Sequence, residues 1–109
     1  METQVIAPDI IAKVTYKTTE EGGRKTAVHS GYRPQIKFPF SEQTTSGIQD
    51  FIAKKIVYPG EMVVTEIYML SPHLFEQQLA AKMEFKLLEG DHVVAIGVVL
   101  KIVNDTLRK

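Results

Sequence analysis

The sequence contains no cysteine. This absence excludes disulfide bonds, thiolate zinc ligands and a cysteine nucleophile, and it fits a reducing compartment, so we expect a cytoplasmic protein. Long apolar runs are also missing: no stretch approaches the roughly 18 residues of a membrane span, and the N-terminus lacks the basic start and apolar core of a signal peptide. We therefore expect a soluble protein that does not bind membranes.

The sequence also lacks net charge, because 13 basic residues balance 13 acidic ones. No overall field draws the molecule toward nucleic acid, and any such contact must come from a local patch. With 109 residues, 44% of them hydrophobic, the chain can bury a core without metals or disulfides. We expect one domain spanning residues 1–109, with its core at about 10–103.

Motifs of catalysis and cofactor binding are missing too. The glycine-containing segment at residues 22–25 is too short to be a phosphate loop. It also lacks the Lys-Ser or Lys-Thr pair that holds phosphate and magnesium. His29, His73 and His92 have no metal-ligand spacing, and no serine lies in a nucleophile elbow. We expect a protein that is not an enzyme, binds no cofactor, metal or nucleotide, and neither binds nor hydrolyses GTP.

What the sequence does have is strand periodicity. Residues 10–18 alternate in polarity and predict a half-buried strand. Residues 33–40 alternate as well, but their two prolines predict an edge strand, or one whose ends leave the sheet. Residues 62–70 predict a strand buried on most of both sides. Residues 19–31 and 41–47 are polar and predict loops.

The last third of the chain predicts a hairpin preceded by an irregular segment. Residues 82–87 and 94–102 alternate around a turn, and the second strand directs one apolar set to one face: Val94, Ile96, Val98, Leu100 and Ile102. Gly97 within this strand indicates a bend or a close backbone approach. Five to seven strands with little helix predict an all-β barrel or sandwich, and the pattern alone does not choose between them.

Residues 71–81 have apolar side chains at short-helix spacing, namely Leu74, Phe75 and Leu79. So short a helix must take its order from packing. Either the segment closes a barrel end as part of the core, or its apolar side docks on another copy or another chain.

Two motifs resemble a known family. Residues 20–26 read E-E-G-G-R-K-T and residues 31–38 read G-Y-R-P-Q-I-K-F. These are similar to E-E-G-G-R-H-T and G-Y-R-P-Q-F-Y-F in the third, C-terminal domain of bacterial elongation factor Tu. The P-G-E at 59–61 and the E-G at 89–90 follow in family order. The resemblance implies a six-stranded antiparallel closed barrel that stands without the GTPase domain, and a non-catalytic binding module.

The departures from the family concern its partners. The family domain contacts the T stem of aminoacyl-tRNA, packs on the GTPase domain and touches the exchange factor. Here residues 27–29 read A-V-H where the family has two phenylalanines, and the closing R-E-G-G-R becomes L-E-G-D-H at 88–92, which removes two arginines. Residues 71–83 are longer and more apolar than in the family. The lost arginines argue against full tRNA affinity.

Six basic and two acidic side chains lie between residues 13 and 37. They make a cationic stripe feasible, which would suit RNA phosphates or an acidic partner, although ordinary surface lysines explain them equally well. The candidate contacts with RNA or a protein partner are Arg24, Lys25, Arg33, Gln35, Lys37, Thr44 and Thr45. Arg33 could instead pair with a carboxylate of the same domain. The expected partner is a protein or RNA, with tRNA included, and self-assembly into an oligomer is a further alternative.

Overall fold

The computed structural model describes residues 6–109. Its strands are β1 (Ile10–Tyr16), β2 (Val28–His29), β3 (Gln35–Lys37), β4 (Thr44–Phe51), β5 (Ile56–Val57), β6 (Met62–Met69), β7 (Glu84–Glu89) and β8 (His92–Ile102). Six of them form a closed antiparallel barrel in the order β1-β6-β4-β3-β7-β8, and β2 pairs with β5 as a separate two-stranded sheet. The prediction of a six-stranded antiparallel closed barrel is confirmed.

Strand β1 shows the alternation that the sequence predicts. Ala12 and Val14 point into the barrel and are fully buried, while Lys13 and Thr15 point outward. The strand ends at Tyr16, two residues before the predicted end. Its two neighbours are β6 and β8, so the barrel closes by pairing the first strand with the last.

Strand β6 is buried on one face only, and the prediction of burial on both faces is wrong. Val63, Thr65 and Ile67 line the interior, but Met62 is 51% exposed and Tyr68 is only partly covered. A barrel wall has one inner face, so apolar residues on the other face remain at the surface.

The prediction that the apolar residues of β8 share one face is also wrong. Ile96, Val98 and Leu100 point outward, and only Val94 and Ile102 from the predicted set are buried. Two register shifts explain this result, because β8 contains an extra residue against β7 near Val94 and another against β1 near Leu100. Each bulge moves the following residues to the opposite face.

Gly97 confirms the predicted close approach, because a Cβ atom there would overlap the ring of Phe85 on β7. The Phe85 ring can therefore fill the barrel interior because β8 has no side chain at Gly97.

Three predictions about the first half of the chain need correction. The predicted loop 19–31 contains β2, which pairs with β5, and the predicted turn 41–47 already includes the start of β4. Strand β3 is not an edge strand, because it pairs with both β4 and β7. The other prediction, a strand whose ends leave the sheet, is confirmed, because only the three residues of β3 are paired.

One end of the barrel is closed by residues 71–82 and 104–109, which we call the capped end. Residues 71–81 form a 3-10 turn, Pro72–Phe75, rather than an α-helix. Phe75 and Leu79 are fully buried, and the Phe75 ring lies 5.0 Å from that of Phe38. The backbone of Gln77, Gln78 and Leu79 bonds to residues 106 and 107, and Leu107 is itself buried. The segment therefore completes the core.

Candidate functional site

The opposite end of the barrel carries the two motifs that resemble the family, and we call it the motif end. It comprises residues 18–35, the β2–β5 pair and the β7–β8 turn. The loop at residues 18–23 closes through hydrogen bonds from Gly22 and Gly23 to Thr19 and Thr18. Gly22 has a φ of 92°, and a Cβ at Gly23 would overlap the Lys17 carbonyl, so both positions require glycine. This tight turn delivers Arg24 to the surface of the barrel end.

Arg24 is held inside the domain by three partners, of which Thr26 accepts a guanidinium hydrogen bond at 3.1 Å. Its guanidinium forms an ion pair with Glu89 on β7 and lies 5.2 Å from the centre of the Tyr32 ring. The Tyr32 hydroxyl donates to the same Glu89 carboxylate at 2.7 Å. Partial burial, and then the bonded Glu89 carboxylate, raise the pKa of Tyr32, so its phenol stays protonated as the donor. Arg24 was a candidate partner contact, and the structure gives it a role in joining the two motifs.

A second polar pair lies beneath this cluster in the barrel interior. Gln49 is fully buried, and its Nε2 donates to the Tyr16 hydroxyl at 2.8 Å. Burial strongly raises the pKa of Tyr16. Gln49 Oε1 accepts no hydrogen bond from residues 6–109. The Tyr16 and Tyr32 rings are 6.4 Å apart, so the two polar pairs are neighbours in one end of the barrel.

The candidates on β3 and β4 form hydrogen bonds within the domain. Gln35 Nε2 donates to Ser46 Oγ at 2.8 Å, and its Oε1 accepts from the Thr44 hydroxyl at 3.0 Å. Thr45 is 3% exposed, and its hydroxyl accepts from the Ser71 backbone. Lys37 donates to the Ser41 carbonyl at 2.9 Å. Thr44, Gln35 and Lys37 are still reachable from solvent, whereas Thr45 is not.

Lys25 and Arg33 are the two candidates with exposed, uncommitted charges. Within residues 6–109, neither takes part in an ion pair or a side-chain hydrogen bond. Arg33 therefore does not pair with any carboxylate of residues 6–109, as one of the two alternatives predicted it would. Arg33 instead borders a shallow groove beside Ile48 and Tyr68.

The barrel order separates the basic residues that the sequence brings together. Strands β1 and β3 have two strands between them on either side of the ring, so they lie on opposite sides of the barrel. Lys13, on the outer face of β1, is therefore remote from Arg33 and Lys37. The structure forms no continuous cationic stripe from these residues.

The possible interface residues of the segment 71–81 mostly face inward. Phe75 and Leu79 are fully buried and Leu74 is partly buried against the core. In this conformation, the first two side chains cannot contact a partner. The structure thus places this segment as the plug of the barrel end, which is the first of the two alternatives.

Exposed apolar side chains are a feature that the sequence reasoning missed. Nine large hydrophobic residues in 6–109 are exposed, and six of them lie in the stretch 48–70: Ile48, Ile52, Ile56, Tyr58, Met62 and Leu70. The sequence carried only part of this signal: β6 is apolar on both faces while a barrel wall buries only one, which accounts for Met62.

Within residues 6–109, no three His, Cys, Asp or Glu side chains converge as metal ligands, and no helix is long and apolar enough to cross a bilayer. The closed six-stranded barrel, with its two motifs joined by Arg24 and Glu89, defines the class of a translation-factor β-barrel domain. A comparison with protein families agrees: residues 4–103 match the elongation factor Tu C-terminal domain. The chain belongs to this family and is a translation-factor-related module.

Proposed function

We propose that the chain is a non-catalytic, cytoplasmic binding module whose partner is a protein, bound through the outer surface of the barrel without a cofactor. The observation that carries this proposal is a contrast between two sets of side chains. Arg24, Gln35, Lys37 and Thr45 make contacts inside the domain. Large apolar side chains of residues 48–70, by comparison, are exposed. Exposed apolar groups suit a protein surface and not a phosphate backbone.

RNA is the second candidate, and Lys25 and Arg33 favour it because both are exposed cations without partners in the described chain. Two such cations release few counterions, so RNA binding through them would be weak and strongly weakened by salt. The departure from the family's arginines at residues 88–92 points in the same direction.

Two measurements together test the proposal. The tagged chain is used to capture partners from an extract of its own cells, with and without ribonuclease, and the same chain is titrated with folded tRNA at low salt and at about 150 mM salt. We expect a protein partner that survives ribonuclease and tRNA binding that disappears at the higher salt.

The variant Lys25→Glu with Arg33→Glu identifies the RNA contacts, and Lys82→Glu at the capped end is its matched control. Tight tRNA binding at the higher salt that this variant abolishes and the control retains would replace the protein partner with RNA.

A further inference from the structure

A cavity of about 310 Å³ opens in the barrel wall where β3 and β7 separate. The pairing of these two strands stops at Lys37, which lies directly opposite Lys86, although β7 continues for two more residues. The chain beyond β3 turns away, because Pro39 has no N–H to continue the ladder and the Ser41 N–H donates to the Phe38 carbonyl. In the described part of the chain, no strand therefore pairs with the start of β7 on this side, and the cavity lies at that gap.

Two ammonium groups line this cavity. Lys37 and Lys86 both point outward from directly opposed positions, an arrangement that destabilises a sheet. Lys37 donates to the Ser41 carbonyl at 2.9 Å and lies 3.9 Å from the Glu42 carboxylate, which is 98% exposed, so that ion pair is weak. Lys86 has no ion-pair partner in residues 6–109. Both lysines can therefore donate further hydrogen bonds to an anion in the cavity.

Most of the remaining lining is apolar. Pro39 is exposed and Ile96 is half-buried, and both contribute apolar groups to the cavity walls. The buried residues Phe38 and Phe85 form its base. The aliphatic stems of the two lysines extend this apolar surface. The cavity therefore combines a cationic rim with an apolar interior.

The lining carries two positive charges and one negative charge, that of Glu84, so its net charge is +1. Glu84 is exposed and forms no ion pair within residues 6–109. Lys13 lies in the same row of the wall, but on β1, with Val98 of β8 between the two. A ligand with a single negative charge would neutralise the cavity, whereas a neutral or cationic ligand would leave the two opposed lysines unpaired.

We propose that this cavity binds a small apolar carboxylate, with its carboxylate group between Lys37 and Lys86 and its hydrocarbon part between Pro39 and Ile96. The volume of about 310 Å³ lies at the lower end of the range of roughly 300–1,000 Å³ that is typical of small-molecule sites. The proposal goes beyond the proposed function and does not depend on it, because the exposed apolar residues of the stretch 48–70 take no part.

A nuclear magnetic resonance titration of the ¹⁵N-labelled chain with 3-phenylpropionate tests the site. We expect saturable shifts at the amides of Lys37, Phe38, Lys86 and Ile96, with a Kd of about 1 mM or tighter. The neutral 3-phenylpropionamide has nearly the same shape, and it should bind at least about tenfold more weakly because it lacks the charge-assisted hydrogen bonds. Acetate, which lacks the apolar part, should also bind at least about tenfold more weakly.

Two variants with opposite expected effects separate a binding role from a structural one. Lys86→Gln should weaken binding of 3-phenylpropionate at least about fivefold, and Glu84→Gln should strengthen it about two- to fivefold because it removes a repulsive charge. Lys101→Gln, at an exposed lysine of β8 outside the cavity lining, is the matched control and should bind like the wild type. The amide spectrum of each variant verifies that the barrel is folded.

The absence of saturable shifts at the cavity residues up to about 10 mM 3-phenylpropionate overturns the proposal. So does an amide that binds as tightly as the acid, or a Lys86→Gln variant that binds like the wild type. Tighter binding of phenyl phosphate than of 3-phenylpropionate would also overturn the assignment to a carboxylate.

Discussion

The two ends of the barrel are held by different forces. At the motif end, Arg24, Glu89 and Tyr32 connect residues distant in sequence through one ion pair and one charge-assisted hydrogen bond. At the capped end, Phe75 and Leu107 fill the opening with buried apolar surface and short backbone bonds. The first arrangement uses the family motifs, whereas the second includes residues beyond the matched range 4–103. The two ends therefore differ in the kind of contact that closes them, which is polar and charged at the motif end and apolar at the capped end.

The largest expected effect is at the capped end. Phe75→Ala should lower the free energy of unfolding by about 3–5 kcal/mol, because it empties a fully buried ring position in contact with Phe38. Urea unfolding measures the change. Phe40→Ala is the control: Phe40 stacks on the same Phe38 ring but is 43% exposed, so its loss should cost only about 0.5–1.5 kcal/mol. Equal costs for the two would mean that the cap is not a core element.

A smaller effect is expected at the motif end. Glu89→Gln keeps the side-chain size but removes the charge that Arg24 and Tyr32 share, and it should cost roughly 1–2 kcal/mol because the pair is partly exposed to solvent. Hydrogen exchange should accelerate in residues 18–35 and stay unchanged in residues 71–82. Glu84→Gln, exposed on the same strand, serves as the control. Faster exchange at both ends alike would show that the two ends are not separate units.

The weakest effect depends on pH and concerns the motif end. The pKa of Tyr16 is raised in the folded chain, so the stabilisation from its neutral phenol is fully present below the unfolded value of 10.0 and is lost as pH rises above it. This loss amounts to at most about 1.4 kcal/mol per pH unit. Tyr16→Phe should flatten the decline in melting temperature between about pH 10 and 11. An unchanged slope in Tyr16→Phe relative to the wild type would contradict the assignment.

The barrel could be predicted because the sequence signals for it lie within single strands or short motifs. Alternation in β1 follows from single-strand periodicity, and the two glycine-containing motifs specify the family and with it the closed sheet. The burial of Phe75 and Leu79 was one of two alternatives, and the structure favours the plug. These inferences needed no knowledge of which strands are neighbours.

The remaining features depend on contacts between distant residues. The outward turn of Ile96 and Val98 follows from bulges that exist only because β8 pairs with two strands of different register. Arg24 and Glu89 are 65 residues apart, so no window of sequence shows that the cation is already paired. The separation of β1 from β3 likewise emerges only from the barrel order. These three features account for the errors in the candidate site.

The pairing of β1 with β8 also governs when the molecule can fold. The two strands that close the barrel lie near opposite ends of the chain, so the seam between them cannot form until Ile102 has been synthesised. Closing so long a loop costs entropy before any contact repays it, and chains dominated by distant pairings fold slowly, in milliseconds to seconds. Until then, the β1 edge and the inward apolar residues of β1 and β6 are both unprotected. Nascent chains that end before β8 should therefore need a chaperone, or aggregate, while chains that include β8 fold unaided.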